Sequence, residues 1–311
     1  MPAGEVLVHI TVITPAYNAA PWLRDCIASV VAQTHRDWSL VVVDDGSADA
    51  TADIPDNFHD SRISLIRQDH AGVSAARNRG LTAAAGDACL FLDADDRLAP
   101  DALARLAAAL GAHPAAVAVS GPYARVAADG AIRRMRPSPG GYLLERLLVR
   151  NLFANGGHLL IRWAAIEAAG SFRKDLSYGE DWEYWTRLAL QGPFATLRRG
   201  SAPVLFVRET PEGAYWRMAT DPACFAASVD AVYANAAIRQ RLGAHRLGAL
   251  QRRTEAEMAW TIGRELFRHQ RRRDGWRWLV RSLRQAPTLK RVVLAGLSWT
   301  RAGPFRAYPA G

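Results

Sequence analysis

Two short runs without a polar residue, Leu40-Val41-Val42-Val43 and Cys89-Leu90-Phe91-Leu92, each end directly in aspartates. Asp44, Asp45, Gly46 and Ser47 follow the first; Asp93, Ala94, Asp95 and Asp96 follow the second. A strand with water on one face alternates apolar and polar residues, so a run that is apolar throughout belongs to a strand covered on both faces. Such strands form parallel sheets layered between helices. The neighbouring segments supply the other parts. "HITVITPAYN" (9–18) and "RISLIRQ" (62–68) read as further strands. "WLRDCIASVVAQ" (22–33) is a helix with Leu23, Cys26, Ile27, Val30 and Val31 on one face, and "VSAARNRGLTAAAG" (73–86) is a helix stopped by Gly86. Ligands of open α/β sheets gather outside the carboxyl ends of the strands. The polar chemistry of the first hundred residues falls at that one edge: Pro15, Tyr17 and Asn18, then Asp44 and Asp45, then Asp93, Asp95 and Asp96.

Carboxylates this close raise one another's proton affinity unless a cation holds them ionised. Mg2+ and Mn2+ are hard ions, commonly held by one or two carboxylates together with substrate phosphates, and Asp93 and Asp95 have the right ligand chemistry for them. Turn and cap chemistry is the competing reading. D-G-S is a good turn, Asp49 can cap a following helix, and Asp96 or Asp101 beside Pro100 can open another. Taken singly, the aspartates leave both readings open.

In the middle of the chain "GYLLERLLVRNLF" (141–153) and "GEDWEYWTRLALQG" (179–192) read as helices, the second with an acidic start that suits a helix N-terminus; "GHLLIR" and "APVLFVR" read as strands. From about Ala219 the pattern is helical throughout, with Trp260, Trp276, Trp278 and Trp299 among many arginines.

The motifs in their order, "ITVITPAYNAAPWLRDCIASVVAQTHRDWSLVVVDDGSADAT", "HAGVSAARNRGLTAAAGDACLFLDADDRLAPDAL" and "GSFRKDLSYGEDWEYWTRLAL", resemble the family 2 glycosyltransferases of the inverting, metal-dependent GT-A type over roughly residues 8 to 207. The resemblance implies a three-layer α/β/α domain with a mostly parallel, Rossmann-like sheet over residues 1–218, and a basic helical C-terminal appendage over 219–311. It implies a nucleotide site of Pro15 and Tyr17 against the base, Asp44 and Asp45 beside it, and Arg77 and Asn78 near the phosphates. Asp93 would contact the ribose and Asp95 would hold Mg2+ or Mn2+, with Asp96 as an accessory member of that loop. Asp181 would be the general base, with Glu180 as its orienting neighbour. Trp182 and Trp185 are either core or a sugar-stacking surface, and His158, after Asn155, Gly156 and Gly157, would lie near the donor sugar.

Other signatures are missing. There is no G-x-x-x-x-G-K-[ST] loop, no G-x-G-x-x-G, no G-x-S-x-G elbow and no Q-x-x-R-W, and a nucleotidyltransferase would want a basic glycine-rich loop after the first strand. The expectation is transfer of a single sugar from a UDP-, GDP- or TDP-linked donor to a hydroxyl of a glycan or lipid-linked acceptor. A non-catalytic sugar-nucleotide-binding protein of the same fold is the alternative.

Half of the 311 residues are hydrophobic, so a sizeable core is available. Three cysteines without metal spacing do not make a disulfide framework and suit a reducing cytosol. The N-terminus lacks the pattern of a signal peptide, and no run reaches the roughly 18 apolar residues of a membrane span. The charge is uneven: of 39 Lys and Arg and 30 Asp and Glu, the stretch from Arg239 onward holds 17 and 4. An acidic body therefore precedes a basic tail. That tail is read as a solvated helical face, as a peripheral contact on the inner face of the cell membrane or, in last place, as a nucleic-acid surface.

Overall fold

The structure, a computed structural model, describes residues 8–209, 214–298 and Phe305. The first seven residues of the chain and Trp299 lie outside the described residues.

Each apolar run of the first hundred residues is a strand: β1 (Ile10–Ala16), β2 (Trp38–Asp44), β3 (Ile63–Arg67) and β4 (Ala88–Phe91). They pair in parallel, with Ile10 opposite Trp38 and Ala16 opposite Asp44 on one side of β1, and Ile13 opposite Phe91 on the other. The carboxyl ends of β1, β2 and β4 thus share one edge. Between these strands lie α1 (Ala20–Val31) and α2 (Val73–Ala83). After β5 (Arg97–Leu98) come α3 (Ala102–Ala112), β6 (Ala118–Ser120), β7 (Tyr123–Val126), β8 (Ile132–Arg134) and α4 (Leu144–Val149). Next are β9 (Leu159–Arg162), α5 (Trp163–Ala169), α6 (Glu180–Gln191), β10 (Phe194–Thr196) and β11 (Leu205–Arg208).

The main sheet has the order β10-β6-β9-β4-β1-β2-β3. Strand β9 runs antiparallel to both neighbours, so the sheet is mixed and mostly parallel. Strand alternation sorts its side chains into two layers. Ile10, Val12, Leu40, Val42 and Leu90 enter one core with Leu23 and Ile27 of α1 and Leu103 and Leu106 of α3. Ile13 points the other way, against α2: a Cβ on Gly80 would stand 2.4 Å from Ile13 Cγ2, so this helix sits on β1 at a distance only glycine allows. A smaller sheet, β5-β11-β7-β8, carries Arg208 at the end of β11.

The described residues fall into two units. The first holds both sheets and comprises residues 1–143, 152–175 and 187–209. The second is helical and comprises 144–151, 176–186 and 210–311. It contains α4, the start of α6, α7 (Ala214–Thr220), α8 (Ala223–Ala234), α9 (Ala236–Arg268), α10 (Arg272–Gln285) and α11 (Leu289–Leu297). It therefore takes in segments that precede residue 219 in sequence, because Leu147 and Leu148 of α4 and Trp182 of α6 are buried within it. Gly243, with φ 72°, breaks α9 into a short and a long helix. Gly263 of α9 and Gly275 of α10 face each other; a Cβ on either would lie within 2.9 Å of the other's carbonyl oxygen. No helix among the described residues is long and apolar enough to cross a membrane.

Candidate functional site

At the shared edge, the Asp-Gly-Ser turn after β2 is locked to the loop after β3. Asp45 is 2% exposed, and its carboxylate accepts hydrogen bonds from Gln68 Nε2 at 2.6 Å, Ala71 N at 3.0 Å and Gly72 N at 2.8 Å, with His70 Nδ1 at 2.9 Å. Gly46, with φ +76°, lets the two backbones meet, since a Cβ there would be 2.8 Å from His70 N. Asp44 is buried and accepts from Ser47 N, closing the turn. Pro15 is inside β1, and Tyr17 follows it, half exposed and stacked on His70 with ring centroids 4.1 Å apart. The structure thus brings Tyr17, Asp44 and Asp45 together and adds His70 and Gln68, which no local sequence pattern marks. The open face of the Tyr17–His70 stack is a platform of the kind a planar base can lie on.

Arg77 and Asn78 sit side by side on α2 but do different things. Arg77, 5% exposed, donates from Nη2 to Asp93 Oδ1 at 3.0 Å and lies over the Phe172 ring, 5.3 Å from its centroid. Asn78 exchanges two hydrogen bonds with the backbone of Phe172, both 2.8 Å, and so fixes the loop that carries that ring.

The aspartate knot is held from three directions. Asp93 accepts from Arg77 and, at 3.0 Å, from Asn155 Nδ2. The same amide nitrogen donates to Asp96 Oδ2 at 2.5 Å, and Arg208 N donates to Asp96 Oδ1 at 3.0 Å. Asn155 keeps this position because its own Oδ1 accepts from Gly157 N. A Cβ on Gly156 would meet Phe91 O at 2.9 Å, so the loop lies flat on the end of β4. Asp96 is 2% exposed, and burial, then the charges of Asp93 and Asp95, push its carboxyl well up. Asp95 differs, because no other described residue donates a hydrogen bond to its carboxylate. Burial first and the Asp93 charge second push it up to about 6, with Arg208 opposing.

No group of three or more His, Cys, Asp and Glu is arranged to hold a metal among the described residues. The donor set still fits a hard divalent ion: Asp95 offers half-buried carboxylate oxygens that no other described residue engages with a hydrogen bond, with Asp93 beside it, and such ions draw their remaining ligands from substrate phosphates and water. Positive charge at Asp95 would also relieve the repulsion that raises its proton affinity.

His158 is fully buried. Nδ1 donates to Gly121 O at 2.8 Å, Nε2 accepts from Ala154 N at 3.2 Å, and burial lowers its pKa from 6.5 to about 4. It therefore folds as a neutral ring that supports the Asn155 loop. A histidine whose folded pKa is depressed takes up its proton more readily when unfolded, so its contribution is present above pH 6.5 and lost as pH falls toward 4. The loss amounts to about 3 kcal/mol at most. Urea unfolding followed between pH 6.5 and 4 should show this slope in the wild type and a shallower one in His158→Gln.

Asp181 and Glu180 open α6 in the helical unit. The Asp181 carboxylate accepts from Trp182 N at 2.6 Å and from Asn151 Nδ2 at 3.1 Å. Trp182 and Trp185 are each 1% exposed, and Trp182 stacks on Phe225 and donates from Nε1 to Leu147 O. Both tryptophans are core residues.

A mostly parallel sheet with a carboxyl edge rich in aspartates is the GT-A glycosyltransferase architecture, and solved structures of that class match it. TarS 1-349 of S. aureus in complex with UDP-GlcNAc aligns with a TM-score of 0.57 and 16% identity over 92% of each chain. The mannosyltransferase PcManGT from Pyrobaculum calidifontis, in complex with GDP-Man and Mn2+, aligns with a TM-score of 0.57 and 20% identity over 95% of this chain and 81% of that one. The family model described as "Glycosyl transferase family 2" matches residues 11–169, half of the chain, and the protein belongs to that family. Among curated relatives, glycosyltransferase GlyA of Streptococcus pneumoniae is 40% identical over 123 residues, which are 39% of this chain and 18% of GlyA. The match thus spans less than a fifth of that relative's length.

Proposed function

We propose that the protein is an inverting glycosyltransferase that moves one sugar from a nucleoside-diphosphate sugar to a hydroxyl of a glycan or lipid-linked acceptor. The observation that carries this reading is the aspartate knot at the carboxyl edge of the sheet, where Arg77, Asn155 and the Arg208 backbone hold Asp93 and Asp96 and leave Asp95 to an outside partner. Tyr17 and His70 would cradle the base. Asp45 supports that cradle from behind, because its carboxylate is already taken by the loop.

Breaking an anomeric bond to a nucleoside diphosphate places negative charge on the leaving group. Asp95, with Asp93 beside it, would hold Mg2+ or Mn2+, which when bound supplies positive charge against the diphosphate. Asp181 would take the proton of the attacking hydroxyl, and Asn151 and the Trp182 amide fix its carboxylate. The complexes of the neighbours with UDP-GlcNAc and with GDP-Man and Mn2+ support a nucleotide-sugar donor, and the family membership supports transfer over simple binding.

Incubation of the purified chain with UDP-, GDP- and TDP-sugars and Mn2+ should release nucleoside diphosphate from one donor class, slowly to water and faster with a hydroxyl acceptor. Tight nucleotide binding without release from any donor would instead favour the non-catalytic alternative.

A further inference from the structure

Helix α11 turns its apolar side outward. Leu289, Val292, Val293 and Leu297 recur at helical spacing on one face and are 82%, 51%, 50% and 48% exposed. The opposite face, with Arg291 at 8%, Ala295 at 1% and Ser298 at 3%, is buried. This orientation is fixed. Arg291 reaches inward to Glu257 Oε1 at 2.5 Å and to Ala286 O at 2.9 Å, Thr288 caps the helix through Arg291 N, and Arg272 holds Ser298 O at the far end. Rolling the apolar face inward would break all of these bonds and strand a buried arginine.

The preceding helix, α10, presents mostly positive charge. Arg273, Arg277, Arg281 and Arg284, spaced four, four and three apart, are exposed along one side, while Leu279 faces inward. Arg277 reaches Asp274 at 3.4 Å and Arg281 lies over Trp278, but Arg273, Arg284 and the exposed Lys290 of α11 have no acidic partner among the described residues. The two helices are joined by only Ala286, Pro287 and Thr288.

We propose that α10 and α11 form a docking element for an anionic lipid surface. The apolar face of α11 enters the boundary between headgroups and acyl chains, and the α10 arginines with Lys290 engage the lipid phosphates. Charge complementarity selects this occupant: a row of exposed cations, of which Arg273, Arg284 and Lys290 have no acidic partner among the described residues, stands next to exposed aliphatic side chains and matches a sheet of anionic headgroups over hydrocarbon. At nine residues, α11 is far too short to span a bilayer, so it would lie in the interface. The inference is independent of the donor chemistry.

Sedimentation of the full chain with phosphatidylcholine vesicles, with and without phosphatidylglycerol, tests it. The wild type should pellet with the anionic vesicles and remain in solution with the neutral ones. Arg273→Gln with Arg284→Gln should lower partitioning by about 25-fold, roughly fivefold per charge removed. Leu289→Asp with Val293→Asp should lower it by roughly tenfold or more. All four positions are exposed, and thermal melts and donor hydrolysis without vesicles should match the wild type in both variants. Wild type left in the supernatant with anionic vesicles, or either double variant pelleting as the wild type does, would overturn the proposal. Self-association without lipid that Leu289→Asp with Val293→Asp abolishes would overturn it in favour of an interface between copies.

Discussion

Asp181→Asn should lower glycosyl transfer by about 10²–10⁴-fold, the range for losing a general base, with nucleotide affinity unchanged. The substitution keeps the side chain's shape and an oxygen for the Trp182 amide, but it removes the charge that accepts a proton. Asn151 Nδ2, now donating to Asp181 Oδ2, would face an amide, so comparing the melting temperatures of the two proteins separates chemistry from folding. Turnover against acceptor, measured beside calorimetric nucleotide binding, decides between the two roles of this residue. Full turnover in the variant would reduce Asp181 to a helix-opening carboxylate.

Asp95→Ala should lower turnover on the order of 10²–10³-fold, as removal of one preorganised charge-stabilising group does elsewhere. Fold stability should not suffer. The Asp95 carboxylate accepts no hydrogen bond from another described residue, and burial together with Asp93 already disfavours its ionised form. Asp96→Ala makes the contrast, since it takes an acceptor from the buried Asn155 amide and from the part-buried Arg208 N. Leaving those donors unmet costs about 1–3 kcal/mol. A thermal melt of the two variants should therefore separate Asp95 from Asp96, the aspartate that holds the knot together.

The strands that position this site were legible because burial on both faces leaves an unmistakable run: Val41-Val42-Val43 and Leu90-Phe91-Leu92 have no polar member to confuse the period. The antiparallel insertion of β9 was not, since "LLIR" is apolar whichever way it runs. Within the site, the aspartates announced themselves by their clustering, but their partners did not. Asn155 lies 59 residues from Asp96 and Arg208 lies 112, and nothing in local pattern marks a loop asparagine or the end of a short strand in the smaller sheet as the holder of a carboxylate. Gln68 and His70 were hidden for the same reason. Asp45 reads as a ligand contact because it is acidic and at a strand end, and no local pattern tells that Gln68, Ala71 and Gly72 of the neighbouring loop donate to its carboxylate. Trp182 and Trp185 had two readings in sequence, and full burial selects the core.

The most direct measurement is calorimetric titration of the purified chain with UDP, GDP and TDP, each with and without Mn2+, for the wild type and Asp95→Ala. One nucleotide should bind with a strong dependence on Mn2+, and the variant should lose that dependence. Binding of no nucleotide under any of these conditions, or equal metal dependence in Asp95→Ala, would contradict the assignment of the aspartate knot to a cation and a diphosphate.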